Sequence, residues 1–175
     1  MDEALRKLVP FAIVALVCLS GCSRCSSPGD DRFVMPTRDD FLRYNRHLFW
    51  QDSSFICYYS DSLGLNPTPS PTNLWLTVRH HGAGDSIRDG QSVSFGYTVL
   101  SLRGDTIYSS NRDGVRTIKV GHRDDAMGID EAMLSLCHGD SATVILIPEK
   151  AFGLNGDGNK IHGRKLLRYD IHILP

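Results

Sequence analysis

Two stretches of this chain carry residue types that could hold a metal ion, but neither has the spacing of a metal site. His80 and His81 are adjacent, and neighbouring side chains on a strand point to opposite faces of a sheet. Residues 155–159 are rich in glycine and aspartate but lack both the D-x-D-x-D-G pattern and the later glutamate of a calcium loop. The sequence therefore predicts a solvated loop at the histidines, a flexible flap at 155–159 and no bound metal.

The chain also lacks the short motifs of covalent and nucleotide chemistry. It contains no P-loop, no G-x-S-x-G nucleophile turn and no H-E-x-x-H zinc motif. Its five cysteines follow no framework or ligand spacing. Cys57 and Cys137 lie in segments of apolar periodicity, where a free buried cysteine is the usual explanation. We predict no disulfide, and an enzyme here must work without a metal, a cofactor or a covalent nucleophile.

An aromatic side chain in a loop offers a different kind of site, an apolar pocket. Residues 141–147 form an almost unbroken apolar run, and Pro148 ends it because proline cannot donate to a strand ladder. This pattern predicts a central, well-buried strand that ends in a turn, with Phe152 beside Gly153 just beyond it. Phe152 then either lines a pocket or plugs the core, and the stretch alone leaves both interpretations open.

The composition is typical of a globular domain. The 175 residues suffice for one domain of ordinary size with some additional chain. The 19 basic residues are balanced by 20 acidic ones, the net charge is -1, and no basic run occurs. Because a nucleic-acid binder needs a basic patch, we expect no nucleic-acid partner.

The first residues have the pattern of a bacterial secretory signal. Arg6 and Lys7 precede an apolar stretch at residues 8–19 that is short for a membrane span. Residues 19–22 read Leu-Ser-Gly-Cys, which resembles a lipobox, the motif at which the signal is cut before a lipid-carrying cysteine. The alternative is a plain signal peptide followed by an incidental cysteine.

The lipobox predicts how the chain is placed in the cell. Residues 1–21 are then a signal peptide, Cys22 carries the lipid that binds the membrane, and the polar, turn-rich residues 22–36 form a flexible tether. The protein would be a cell-envelope lipoprotein that faces the periplasm. It would lie on the outer side of the cytoplasmic membrane, or in the outer membrane if the sorting machinery accepts Ser23.

A helical segment is predicted at residues 37–72. Thr37 can cap a helix start, and apolar residues recur at helical spacing from Phe41 to Leu65. The Asp-Ser-Ser sequence at residues 52–54 predicts a break between two helices. Three alternating prolines at residues 67–71 end the segment, since they cannot continue a helix.

Residues 73–175 read as an α+β domain. Apolar residues at i, i+3, i+4 and i+7 predict one amphipathic helix that ends before Gly139, and these residues are Ile129, Ala132, Met133 and Leu136. Alternation of apolar and polar residues predicts strands around it, near residues 74–78, 93–99, 106–110, 115–120 and 167–173.

The order of these elements resembles that of the FKBP-type peptidyl-prolyl isomerases. The resemblance runs from about residue 74 to the end of the chain, and several short pieces carry it: Gly90-x-x-Val93-x-Phe95-x-Tyr97, Gly104-x-x-Ile107-Tyr108-Ser109-Ser110, Val120-Gly121, Gly128-Ile129-Asp130-Glu131-Ala132-Met133, Gly139-Asp140, Ile147-Pro148-x-x-Ala151-Phe152-Gly153, Ile161 and Leu167-x-Tyr169-Asp170-Ile171. Behind the lipobox, Asn45-Arg46-x-Leu48 and Ile56-x-x-Tyr59 are similar to the gliding-motility-associated isomerase lipoproteins of the Bacteroidetes.

The resemblance implies both a fold and a reaction. The fold is an FKBP-like twisted antiparallel β-sheet wrapped around one short helix, with an apolar pocket between them, preceded by the helical N-terminal segment. The reaction is rotation about the X-Pro bond of exported polypeptides, whose uncatalysed barrier is about 18–20 kcal/mol. Because twisting removes the amide resonance, a dry aromatic pocket would favour the twisted form without a cofactor.

The resemblance also implies a set of pocket residues. The catalytic positions are Tyr97, Phe152 and Tyr169, and the substrate-binding positions are Ile107, Tyr108, Asp125, Ala126, Ile129 and Ile161. Several depart from the family pattern. Phe152 stands where the family has a tyrosine whose hydroxyl would donate to the substrate carbonyl. Ile107 and Ile129 replace aromatic residues, and Tyr108 replaces an aspartate. Asp125-Ala126 replaces an apolar pair, and Tyr169 stands where phenylalanine is usual.

Asp125 is the departure with the largest expected consequence. A carboxylate in a dry pocket is strongly disfavoured unless it reaches water or finds a partner. We therefore expect either that the loop at residues 122–127 swings outward or that the pocket is wetter and less active than usual. The departures also support an alternative function, a catalytically weak chaperone or assembly module of the same fold that binds extended polypeptide.

Overall fold

The computed structural model describes residues 35–175. The predicted signal peptide, the lipidation of Cys22 and most of the predicted tether lie outside the described residues. By its contacts the described part of the chain divides between residues 42 and 43. No helix in the described part of the chain is both long enough and apolar enough to cross a membrane.

Helix α1 extends over Arg38–Ser62. Thr37 begins it as predicted, because its hydroxyl donates to the Asp40 carboxylate at 2.7 Å and its oxygen lies 3.3 Å from the Asp40 N–H. The predicted break at residues 52–54 is wrong, since α1 is continuous there. The Ser54 hydroxyl donates to the carbonyl of Trp50 one turn earlier, at 2.8 Å, so this polar side chain is satisfied inside the helix.

Seven strands follow and form one antiparallel sheet. They are β1 at Thr68–Pro69, β2 at Leu74–His80, β3 at Ser92–Ser101, β4 at Thr106–Ser109, β5 at Arg116–Lys119, β6 at Ser141–Leu146 and β7 at Leu167–Ile173. The strand order is β1-β2-β6-β7-β3-β4, and β5 pairs with the first part of β3. Strand β6 lies between β2 and β7, and all of its residues except the first are buried, which confirms the predicted central strand.

Two short helices connect the strands of the described domain. Helix α2 at Ser110–Asp113 is a single turn that the sequence did not reveal, and Ser109 caps it by accepting a hydrogen bond from the Asn111 N–H. Helix α3 occupies Met127–Met133 and ends three residues before Leu136, so its predicted end is wrong. The chain tightens there, because Ser135 and Leu136 donate to carbonyls only three residues earlier.

The apolar stripe predicted for α3 is nevertheless confirmed. Its four members, Ile129, Ala132, Met133 and Leu136, are all buried in the main core. A tight turn after Met133 carries Leu136 into the core as effectively as another helical turn would. The burial pattern was therefore correct although the helix is shorter than predicted.

Both faces of the sheet are covered near β2 and β6. Leu74, Val144 and Leu146 belong to the main core with α3, whereas Trp75 and Ile145 pack in a second cluster with Ile56 of α1. Adjacent strand residues point to opposite faces, so the two strands contribute to both clusters. This explains why β6 reads as a continuous apolar run rather than an alternating one.

The described cysteines are free, but neither is fully buried. Cys57 is exposed, and Cys137 is partly buried. The prediction of a buried Cys57 is wrong because Ile56, its neighbour in α1, is the residue that points to the sheet. One step along a helix rotates the side chain by about 100°, which turns Cys57 toward solvent.

Candidate active site

A cleft of about 650 Å³ opens at the ends of β4, β5 and β7. The loop between β5 and α3 forms one side, and the turns that follow the one-turn 3-10 helix Pro148–Lys150 form the other. Ten residues line it, namely Tyr108, Arg116, Thr117, Ile118, Arg123, Asp124, Asp125, Phe152, Asp157 and Tyr169.

Four of the nine predicted pocket residues line this cleft. They are Tyr108, Asp125, Phe152 and Tyr169. The others form its support: Ala126, Ile129 and Ile161 are buried in the core, and the partly buried Ile107 packs against it. Tyr97 is also buried, and it contacts Arg116, which lines the cleft. The structure thus separates the predicted set into a wall and a layer behind it.

Asp125 does not turn to solvent. Only 1% of its side chain is exposed, and it forms an ion pair with Arg116. Its carboxylate also accepts hydrogen bonds from the Ala126 N–H at 2.7 Å and from the Tyr169 hydroxyl at 3.4 Å. The expected outward swing of this loop is wrong, because the carboxylate finds its partners inside the protein.

Two further carboxylates hold the same loop in place. The Lys119 N–H donates to Asp124 at 2.9 Å, and the Arg123 N–H donates to the buried Asp130 of α3 at 2.7 Å. Arg123 has a φ of 58°, in the left-handed region that non-glycine residues rarely adopt. The loop is therefore fixed at both of its ends, and Asp125 is held between them.

Arg116 lines the cleft but was not among the residues predicted from the sequence. Its guanidinium carbon lies 4.5 Å from the centre of the Tyr97 ring, and Nη2 is 3.4 Å from the Tyr97 hydroxyl. Burial alone would lower the pKa of Arg116, but the charge and hydrogen bond of Asp125 raise it above its usual value. The available signal was alternation in β5, which puts Arg116 on the same face as the buried Ile118 and Val120.

Asp157 ties the opposite side of the cleft to β4. Its carboxylate accepts hydrogen bonds from the Tyr108 hydroxyl, from the Asn159 N–H at 2.9 Å and from the Ile161 N–H at 2.8 Å. Burial, together with this bond to Asp157, raises the pKa of Tyr108. The Lys160 ammonium lies 4.8 Å from the centre of the Tyr108 ring. Residues 155–159, predicted as a flap, thus form a loop with defined anchors.

The arrangement favours binding an apolar segment of polypeptide. The partly buried Phe152 and Tyr108 offer aromatic walls, and the almost fully buried Tyr169 ring also lines the cleft. Arg116 with Asp125 adds charge to the same lining. Among residues 35–175, no three side chains of histidine, cysteine, aspartate or glutamate come together as a metal site.

Comparison with known proteins identifies the family. Residues 84–174, more than half of the chain, match the family model of FKBP-type peptidyl-prolyl cis-trans isomerases. The chain belongs to the FKBP-type peptidyl-prolyl cis-trans isomerases. The FKBP fold and the isomerase class predicted from the sequence are both confirmed.

Individual FKBP relatives cover the same part of the chain. FK506-binding protein 2 of Dictyostelium discoideum is 30% identical over 116 residues, which are 64% of this chain and 87% of that protein. Human peptidyl-prolyl cis-trans isomerase FKBP10 is 31% identical over 97 residues, which are 55% of this chain but only 16% of that protein. A crystal structure of AtFKBP13 matches with a TM-score of 0.59 and 25% identity, and the match covers 63% of this chain and 98% of that one.

Proposed function

We propose that this cleft catalyses rotation about X-Pro bonds of exported polypeptides by binding the twisted amide, without a covalent intermediate. The observation that carries the proposal is the aromatic wall of Phe152 and Tyr169 in a cleft of the FKBP fold. A planar amide has resonance and charge separation, and a twisted amide loses both. An aromatic wall therefore binds the twisted form better than the planar one, and such differential binding accelerates the reaction.

The cellular part of the proposal rests on the sequence. The lipobox supports lipidation of Cys22, with residues 22–36 as a tether that joins the membrane to the helical segment 37–72 and the FKBP domain 73–175. The clients would then be proline-containing proteins of the cell envelope, and the protein would face the periplasm from the outer membrane. The resemblance of residues 45–48 and 56–59 to gliding-motility isomerase lipoproteins, read from the sequence alone, supports the same placement.

Lipidation can be tested directly. Radiolabelled palmitate should enter the wild-type protein expressed in a bacterial host and should not enter Cys22→Ala. A matched Cys25→Ala variant should be labelled like the wild type. Label that persists in Cys22→Ala would contradict a lipid anchor at Cys22. That outcome would not bear on the proposed isomerase activity of the domain.

The activity is tested by measuring cis/trans exchange of short X-Pro peptides by NMR, with the full chain in detergent. Uncatalysed exchange takes tens to hundreds of seconds, and we expect a much faster rate. Phe152→Ala and Tyr97→Ala should remove most of the acceleration. Leu154→Ala is the matched control, since this side chain is in the same loop but 79% exposed. An unaccelerated rate from the folded protein would contradict the isomerase.

The ion pair favours a second candidate, a binding module with little turnover. Arg116 and Asp125 put two charges in a pocket that was expected to be dry, and this weakens the case for catalysis by apolar surface alone. Titration of the same peptides separates the two functions. Saturable binding that is lost in Phe152→Ala, with no acceleration of exchange, would establish the chaperone or assembly role.

A further inference from the structure

The guanidinium of Arg116 has more hydrogen-bonding capacity than the protein uses. An arginine side chain has five N–H donors. In the described part of the chain, Arg116 uses one for Asp125 and directs another to the distant Tyr97 hydroxyl. Its side chain is 32% exposed and lines the cleft. Three donors therefore remain for a molecule bound in the cleft.

The position of this guanidinium is fixed before any substrate binds. Asp125 holds one edge, and the Tyr97 ring lies against it at 4.5 Å. Asp125 is itself fixed by the Ala126 N–H and the Tyr169 hydroxyl. A donor held in this way needs no reorganisation when charge or a lone pair develops nearby, which is the condition for efficient electrostatic catalysis.

The other polar side chains of the cleft are already occupied. The Tyr108 hydroxyl donates to Asp157, and the Tyr169 hydroxyl is directed at Asp125. The Thr117 hydroxyl bonds to Ser94 at 2.7 Å, and Phe152 has no polar atom. Arg123 also lines the cleft, but its side chain is exposed at the rim. Arg116 is thus the fixed side-chain donor that faces the space between the aromatic walls.

Rotation about an X-Pro bond creates an acceptor for such a donor. In the planar amide the nitrogen lone pair is delocalised into the carbonyl. At the twisted geometry the lone pair is localised on nitrogen, so an N–H group bonds to it more strongly than in the ground state. An interaction that is stronger in the transition state lowers the barrier, whereas equal binding of both states does not.

We infer that Arg116 is a catalytic residue of this cleft, which donates an N–H hydrogen bond to the prolyl nitrogen as the bond rotates. The inference rests on the proposed isomerase function. Asp125 is then a positioning residue that orients the guanidinium and does not touch the substrate. No proton is transferred, because Arg116 stays protonated throughout and the amide returns to its neutral planar form.

The test distinguishes the loss of the guanidinium donor from the loss of stability that follows when the ion pair is broken. Arg116→Gln alone leaves the buried Asp125 carboxylate without its cation and could unfold the chain. The double variant Arg116→Gln with Asp125→Asn replaces the pair by two neutral amides that can bond to each other. Arg103→Gln is the control, since Arg103 is exposed in the turn between β3 and β4. Circular dichroism of each full-length variant checks its folding.

We expect the folded double variant to lose about 10- to 100-fold in kcat, the range of one hydrogen bond to a charged group made in the transition state. KM should change little, and the Arg116 Nε–H resonance of the wild type should shift when an Ala-Pro peptide is added. An active wild type with an equally active double variant would overturn the inference but leave the isomerase intact. A wild type without activity would overturn both.

Discussion

The hydroxyl of Tyr108 donates a hydrogen bond to the carboxylate of Asp157, 49 residues further along the chain. The same carboxylate accepts the backbone N–H groups of Asn159 and Ile161. One aspartate therefore sets the conformation of its own loop and also joins that loop to β4. Tyr108 and Asp157 both line the cleft, so this bond joins two of its lining residues as well as holding the loop.

Removing the Tyr108 hydroxyl should loosen the loop without unfolding the domain. We expect Tyr108→Phe to lower the free energy of unfolding by roughly 1 kcal/mol, the usual net value of one hydrogen bond. Amide hydrogen exchange at Asn159 and Ile161 should become faster than in the wild type. Tyr58→Phe is the matched control, since Tyr58 is 73% exposed on α1. Unchanged exchange at these two amides would show that Asp157 holds the loop without Tyr108.

The same aspartate predicts how stability responds to acid. Burial alone would raise the pKa of Asp157, but the hydrogen bonds from Tyr108 and from the Asn159 and Ile161 N–H groups lower it below its usual value. A carboxyl whose pKa is lower in the folded state than in the unfolded state stabilises the fold at pH values above its unfolded-state pKa, near 3.9. This stabilisation is lost as the pH falls toward and through the folded-state pKa.

Denaturant unfolding of Asp157→Asn and of the wild type at several pH values tests this dependence. The difference in unfolding free energy should be constant from about pH 8 to 5 and should shrink below about pH 4, where the wild-type carboxyl takes up its proton. A difference that grows toward low pH would have the opposite sign and would contradict the lowered pKa.

The sequence was informative where burial decided the pattern. Residues buried on both faces made β6 recognisable as the central strand, and the stripe from Ile129 to Leu136 predicted which side of α3 is buried. It failed where a polar side chain was satisfied by a distant partner. The Asp-Ser-Ser sequence at residues 52–54 predicted a helix break, but Asp52 accepts hydrogen bonds from Arg164 at 3.1 and 3.3 Å. Because the two residues lie 112 positions apart, the local sequence did not show this partner.

The Arg116–Asp125 pair was missed for the same reason. The residues are nine positions apart, and only the pairing of β5 with β3 brings Arg116 beside Tyr97 and above the loop that carries Asp125. A buried carboxylate is unfavourable only when it has no cationic partner, so the prediction for Asp125 required a search for such a partner. The alternation of residues in β5 indicates Arg116 as the partner, since it places Arg116 on the same face as the buried Ile118.

The packing of α1 on the sheet predicts a large effect at Ile56. This side chain is fully buried against Trp75 and Ile145. Replacing a buried isoleucine by alanine removes apolar contacts and leaves a cavity, so Ile56→Ala should lower the free energy of unfolding by about 2–5 kcal/mol. Tyr58→Ala, two residues away but 73% exposed, should change it by less than about 0.5 kcal/mol. Urea unfolding measures both, and similar values would show that α1 does not pack as described.

Two glycines of the loop beside the cleft differ in their surroundings but not in their backbone conformation. Gly156 and Gly158 have φ values of 74° and 72°, which L-residues adopt at a cost of about 1–2 kcal/mol. A Cβ on Gly156 would overlap the carbonyl oxygen of Ile161 and lie 2.9 Å from the carbonyl carbon of His162. A Cβ on Gly158 would meet nothing within 4 Å.

Alanine at the two positions therefore separates backbone strain from collision. Gly158→Ala should destabilise the protein by about 1–2 kcal/mol through its φ alone, with the rate of X-Pro exchange nearly unchanged. Gly156→Ala should destabilise it by more, and it should also lower that rate, because the loop must move away from Ile161 and shift Asp157 and Phe152 with it. Urea unfolding and peptide exchange measure the two effects. Equal destabilisation would mean that the Ile161 carbonyl yields to the new methyl group and that the contact does not hold the cleft in shape.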